Sequence, residues 1–138
     1  MAFLKNKTVV VVGLASNKSI AYGVAKAMHA QGAKLVITYQ NERLKARVEK
    51  LTRDFSPIAM VQCDVSTDQE VANMMQTLQK AQITIDALVH SIAFAPADQL
   101  TGNFVDNITR EGFLTAHEIS SYSLTCMAKY ARQYGLFA

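Results

Sequence analysis

The chain has 138 residues, half of them apolar and 18% charged, with 14 Lys and Arg against 11 Asp and Glu. That length suits one domain or part of a larger one, and the apolar half suffices for a buried core rather than disorder. A net charge of +3 is too small to imply nucleic acid as a partner, and the longest apolar run, residues 9–15, falls well short of the ~18 that a membrane span needs.

The first residues, Met1-Ala2-Phe3-Leu4-Lys5, lead directly into a strand, so no signal peptide is expected. Cys63 and Cys126 stand far apart, with neither a CxxC nor a nearby histidine pair. That pattern argues against a disulfide framework or a metal site and fits a reducing, cytoplasmic compartment. His29, His90 and His117 are scattered and read as structural.

Strand and helix patterns alternate along the chain. Thr8-Val9-Val10-Val11-Val12 is apolar on both faces, as a central parallel strand requires. Residues 20–31 read as a helix with Ile20, Val24 and Met28 on its core side and Gly32 as its stop. Residues 34–39 form a second strand, and Leu44, Val48, Leu51 and Phe55 stripe the next helix. The densest charge run, residues 42–53, is the solvated face of that helix.

Residues 58–62 are the third strand, and Ser66-Thr67-Asp68-Gln69 reads as a capping box opened by Ser66. Val71, Met74, Met75 and Leu78 then recur at helical spacing and are expected in the core. Residues 85–90 are the fourth strand, followed by an irregular stretch and a helix from about Glu111 to Tyr134. Four βα units in series imply an α/β fold, a Rossmann-type doubly wound parallel sheet in the order 3-2-1-4, incomplete after strand four. Strand four would be left with an open apolar edge.

The chemistry concentrates where the strands end. Gly13 closes strand one before a helix, which lets the backbone turn tightly and approach a pyrophosphate, while the helix offers free amides and a positive dipole end. The usual G-x-G-x-x-G is absent; Gly13 is followed by Ser19 after five residues, and Gly23 is expected where the helix packs closely on the sheet. Strand two ends in Gln40 and Asn41 rather than an acidic residue or an arginine. A neutral amide there suits ribose hydroxyls and does not welcome a 2′-phosphate, so NADH is favoured over NADPH, with Arg43 and Lys45 the nearby residues able to shift that balance. After strand three, Asp64 can accept from an adenine amino group. The small residues after strand four, Ser91-Ile92-Ala93, let the backbone pass close to a ribose and nicotinamide.

Taken together, several segments resemble one family. They are Gly13-x5-Ser19-Ile20-Ala21-Tyr22-Gly23, Thr38-Tyr39-Gln40-Asn41, Gln62-Cys63-Asp64-Val65 and His90-Ser91-Ile92-Ala93-Phe94-Ala95-Pro96. Asp98-Gln99-Leu100 and Thr109-Arg110-Glu111-Gly112-Phe113 belong with them. This set resembles the amino-terminal half of a bacterial NADH-dependent enoyl-[acyl-carrier-protein] reductase, a divergent branch of the short-chain dehydrogenase/reductase superfamily. The likeness runs from Phe3 to about Lys129. Ketoacyl and sugar reductases of the superfamily fit less well, since they carry more glycines in the first turn and Asn-Ala-Gly after strand four.

The resemblance implies that Gly13, Ser19 and Ile20 hold the pyrophosphate side of NADH and Gln40 the adenosine ribose. Asp64 and Val65 would bind adenine, Ser91, Ile92 and Ala93 would line the nicotinamide ribose, and the Ala95 backbone would face the acyl substrate. Position 93 often holds glycine in the family, so Ala93 narrows that wall slightly. The implied activity is reduction of the trans-2 double bond of enoyl thioesters in fatty-acid synthesis, by a cytoplasmic homotetramer acting on enoyl-acyl carrier protein.

The family's catalytic tyrosine and lysine are spaced Y-x6-K and follow a fifth strand. Tyr122 and Lys129 share that spacing, but they follow strand four, position 112 is Gly rather than Tyr, and Glu118 to Ser123 matches the family's fourth helix. The expectation is therefore one dinucleotide-binding domain over residues 1–138, without the later strands and substrate-binding part, and inactive on its own. The alternative is a truncated, non-catalytic module that binds NADH or associates with other subunits.

Overall fold

A computed structural model describes residues 2–138. Strand β1 (Thr8–Val12) is followed by helix α1 (Ile20–Ala30), β2 (Lys34–Tyr39), α2 (Glu42–Thr52), β3 (Ala59–Gln62), α3 (Asp68–Lys80) and β4 (Ala87–His90). Three further helices close the described chain: α4 (Phe104–Asn107), α5 (Arg110–His117) and α6 (Ser123–Gln133), the last two joined by a π-helical turn, Glu118–Tyr122. The strands form one parallel sheet in the order β3-β2-β1-β4, the doubly wound arrangement expected of four βα units.

The valine run of β1 explains the two layers. Successive side chains of a strand point to opposite faces, and both faces are covered here. Val10 and Val12 enter a core with Val71, Met74, Met75 and Leu78 of α3 and Cys126, Met127 and Ala131 of α6. Val9 and Val11 enter a second core with Ala21 and Ala25 of α1, Val48 of α2 and Phe55. The methionines at 74 and 75 are fully buried core residues.

Several local expectations need correction. The buried stripe of α1 is Ala21 and Ala25; Ile20 is 78% exposed and Val24 and Met28 only half-buried. Alanines let the helix axis approach the sheet, and Ile20 is the first residue of the helix. Gly23 is exposed, and a Cβ added there meets nothing within 4 Å, so close packing is not its reason. The cap of α3 is Thr67, whose Oγ1 accepts from the Glu70 amide at 3.3 Å, one residue later than the expected Ser66. Ser66 instead turns back on Asp64, its amide donating to Oδ1 at 3.0 Å and its hydroxyl also engaged with that carboxylate.

β4 is shorter than expected, because Ile85 leaves the β1 ladder and bridges to Phe137. After α6, Gly135 adopts φ +65°, Leu136 is buried, and the Ile85 amide donates to the Leu136 carbonyl at 2.7 Å while Ala138 donates back to Ile85 at 2.9 Å. The edge of the sheet beside β4 is thus covered at its amino end, around Ile85.

Asp86 binds the other edge of that connection. Its carboxylate accepts from the Thr8 amide and from Lys7 Nζ, both at 2.9 Å, and these bonds, the amide first, hold its pKa below the usual carboxylate range. The long arm before α5 is tied by Gln99, a buried polar residue. Its Nε2 donates to the Asn107 carbonyl at 3.1 Å and its Oε1 accepts from the Thr109 amide at 3.0 Å. A Cβ at Gly112 would lie 2.3 Å from Gln99 Cδ, so the glycine of Thr109-Arg110-Glu111-Gly112-Phe113 is what admits this side chain.

Candidate functional site

The site lies at the carboxyl ends of the strands, where open parallel sheets bind their ligands. Gly13 leaves β1 at φ +108°, and a Cβ built there would stand 1.9 Å from the Ser91 carbonyl oxygen. Both facts exclude a side chain. The approach is fixed by the Ser91 amide donating to the Val12 carbonyl at 2.9 Å, so the ends of β1 and β4 are clasped directly across the turn. Beyond the turn Ser19 is the N-cap of α1, but its hydroxyl donates to the Ser16 carbonyl at 2.6 Å and makes no cap bond to the helix. The first amides of α1 therefore keep no side-chain acceptor, which suits an anion at that end.

At the end of β2, Asn41 caps α2 by accepting from the Leu44 amide at 3.1 Å, leaving Gln40 as the free amide. Gln40 Nε2 lies 3.5 Å from Asp64 Oδ2, so the residues at the ends of β2 and β3 meet side by side. Burial pushes the Asp64 carboxyl up. Hydrogen bonds from the Ser66 amide and hydroxyl and from Gln40 outweigh it, so the group stays below the usual carboxylate range and is ionised at neutral pH. Lys45 is turned elsewhere, 5.7 Å over the Tyr39 ring and 3.8 Å from Glu42. The neighbouring Cys63 thiol is pushed up to about 12, chiefly by burial and then by Glu70 and Asp64, so it is no nucleophile here.

The third wall is the segment after β4. His90 Nε2 is 2.6 Å from Ser123 Oγ, and that hydroxyl also contacts the Ile119 carbonyl at 2.6 Å. With the single hydroxyl proton given to Ile119, the ring nitrogen is the donor to Ser123. Burial lowers the His90 pKa, consistent with a neutral ring in a structural role. His29 and His117 are exposed, their rings beside Phe55 and Phe113.

These walls enclose one cleft of about 390 Å³. It brings together Gly13, Gln40, Asp64, Val65, Ser91, Ile92 and Ala93 from the four βα turns. Ser19, Ile20 and Ala95 are not among its lining residues; Ser19 and Ile20 stand at the amino end of α1 and Ala95 beyond Phe94. Several lining residues were missed from sequence, notably Thr38, Leu44, Thr115 and Ile119. Thr38 had a signal, being a polar residue in an apolar strand and only 3% exposed. Thr115 and Ile119, one helical turn apart, come from a distant segment that no local pattern connects to the strand ends.

Tyr122 and Lys129 do not line the cleft. The Tyr122 hydroxyl donates to both carboxylate oxygens of Asp68 at 3.1 Å, and that hydrogen bond, with some burial, pushes its pKa up to about 12. Lys129 Nζ lies 5.1 Å from the Tyr130 ring centroid. Both side chains are exposed and engaged away from the cleft lining. What the cleft can do is hold an elongated ligand: hydrogen-bonded at the Gln40–Asp64 end, anionic near Gly13 and α1, and planar against the small residues 91–93.

Comparison with known proteins identifies the family. The family profile described as enoyl-(acyl carrier protein) reductase matches residues 13–137. The chain belongs to that family. It is similar to the enoyl-[acyl-carrier-protein] reductase [NADH] FabI of Escherichia coli K12, 50% identical over 132 residues, covering 96% of this chain and 50% of the relative. The Haemophilus influenzae FabI is 48% identical over 134 residues, covering 97% and 51%. Among solved structures, the enoyl-(acyl-carrier-protein) reductase from Anaplasma phagocytophilum in complex with NAD superposes with a TM-score of 0.88 at 38% identity, over 95% of this chain and 50% of that one. The Aquifex aeolicus enzyme gives the same TM-score at 37% identity, over 95% and 52%. The chain thus spans about half the length of the relatives it matches.

Proposed function

We propose that this chain is the NADH-binding half of an enoyl-[acyl-carrier-protein] reductase, a single dinucleotide-binding domain over residues 1–138. The observation that carries the reading is the convergence of four separate strand ends on one cleft around a side-chain-free Gly13. Adenine would lie against Asp64 and Val65, with the ionised carboxylate accepting from its amino group. Gln40 would hold the adenosine ribose. The pyrophosphate would sit between Gly13 and the amino end of α1, at Ser19 and Ile20. Ser91, Ile92 and Ala93 would line the nicotinamide ribose, and the Ala95 backbone would face the acyl group.

NADH, when bound, supplies the hydride. The chain's own residues bind and orient it, and the apolar wall of Leu14, Ile92, Phe94 and Ile119 excludes water from its reactive face. Preference for NADH over NADPH is supported by Gln40 beside an ionised Asp64, since a 2′-phosphate there would meet negative charge in a cleft whose lining holds no lysine or arginine among the described residues. Stabilising the charge that develops on the thioester oxygen requires a donor aimed at it. No tyrosine or lysine lines this cleft among the described residues, so these 138 residues by themselves are read as binding without turnover. Measurable reduction of a crotonyl or longer enoyl thioester by the purified 138-residue chain would overturn that.

The intact enzyme is read as a cytoplasmic homotetramer. Exposed Phe104, Val105, Ile108, Phe113 and Leu114 on and beside α4 and α5 support self-association, which sedimentation would test. The two free, buried cysteines accord with a reducing compartment.

A further inference from the structure

The π-helical turn between α5 and α6 contains a contact that the nucleotide reading does not use. Ser120 Oγ accepts from the Phe94 amide at 2.9 Å and donates to the Phe94 carbonyl at 3.1 Å. One hydroxyl thus satisfies both backbone groups of a single residue 26 positions earlier. Among the described residues these are the hydrogen bonds made by the backbone of 92–95, which otherwise runs free between the Ser91–Val12 and Gln99–Pro96 bonds. The same turn carries Ile119 into the cleft wall, one turn from Thr115, and leads into Ser123 against His90 at the end of β4. A π turn inserts one residue into a helix and rotates the helical residues after it. Here it lets Thr115 and Ile119 face the cleft, while Ser123, Cys126 and Met127 face the core.

We propose that Ser120 is a positioning residue: it clamps Phe94 so that the segment 91–95 forms a fixed wall for the nicotinamide half of the cofactor. The proposal rests on the NADH reading of the cleft. Ser120 touches no part of the strand-two or strand-three turns, so its effect is confined to one end. A serine in a helix is replaced by alanine without helix-propensity loss, so the variant is expected to fold.

The test compares Ser120→Ala and Ser120→Thr with the unsubstituted 138-residue chain, using NADH and AMP as separate probes in calorimetry and amide exchange at Phe94 without ligand. Losing two hydrogen bonds that hold the wall is expected to raise the NADH Kd about tenfold. AMP, which reaches only the Gln40–Asp64 end, should bind within about twofold of the parent. Ser120→Thr keeps the hydroxyl and should restore most of the NADH affinity, and Phe94 amide protection should be lost in the alanine variant alone. Equal weakening of NADH and AMP, or an unchanged NADH Kd, overturns the proposal in favour of a purely structural serine. If the unsubstituted chain binds AMP or NADH not at all, the functional reading fails and the cofactor part of this proposal with it, whereas unchanged Phe94 exchange in Ser120→Ala refutes the clamp itself.

Discussion

Replacing Gly13 by alanine tests the geometry on which the cleft depends. At φ +108° an L-residue costs about 1–2 kcal/mol in backbone strain. The added Cβ would also lie 1.9 Å from the Ser91 oxygen and 2.6 Å from its carbonyl carbon. Both are backbone atoms, and the residue is held by the Ser91–Val12 bond at 2.9 Å, so no flexible side chain can yield. Relief requires the end of β4 to withdraw by roughly 1 Å or more, at about 1–3 kcal/mol for overpacking and about 1 kcal/mol for the strained hydrogen bond. The sum is roughly 3–6 kcal/mol, a large share of the about 5–15 kcal/mol that holds a domain together. At this chain length it corresponds to a fall in Tm of roughly 10–20 °C, readable by circular dichroism during thermal or urea unfolding. Gly23→Ala is the control: a helical glycine with open space around it should gain about 0.5–1 kcal/mol. A Gly13→Ala chain within about 0.5 kcal/mol of the parent would refute the steric argument.

Three other outcomes rest on contacts outside that turn. Gly112→Ala should destabilise by about 1–3 kcal/mol, because its Cβ would meet Gln99 Cδ at 2.3 Å; in urea titrations the double variant with Gln99→Ala should be less than additive, and strict additivity would count against the contact. Asp64 has a folded pKa below its unfolded value of 3.8, so its contribution is present above that value and lost as pH falls through the folded pKa. Asp64→Asn should therefore flatten the acid limb of the stability–pH curve, and an unchanged limb would show that Asp64 is not held ionised. The Cys63 and Cys126 thiols, pushed up to about 12 and about 11 mainly by burial, should react with a disulfide reagent at about pH 8 only after unfolding, and rapid labelling of the native chain would contradict their placement.

Much of this architecture is written in local chemistry. The valine run of β1 demands cover on both faces, and Val71, Met74, Met75 and Leu78 can only be one side of a buried helix, so the layers follow from pattern alone. Gly13 is legible because a glycine between strand and helix has few other reasons to exist. Gly23, equally conspicuous, has no such contact, which shows that residue type without backbone geometry underdetermines a role. The α3 cap lies at Thr67 rather than Ser66 because Asp64 draws the Ser66 amide and hydroxyl into its own turn, a competition between two adjacent motifs. Thr115, Ile119 and Ser120 were out of reach for a different reason. Their part in the cleft depends on a π turn and on packing against a segment distant in sequence, 26 residues away for Ser120 and Phe94, and no short-range periodicity encodes either.

The most direct test of the dinucleotide cleft is calorimetric titration of the 138-residue chain with NADH, repeated with NADPH and with Asp64→Ala. The structure predicts one saturable NADH site, weaker binding of NADPH, and loss of affinity for NADH in the Asp64 variant. Absence of saturable binding, or NADH binding indifferent to Asp64, would contradict the assignment of this cleft.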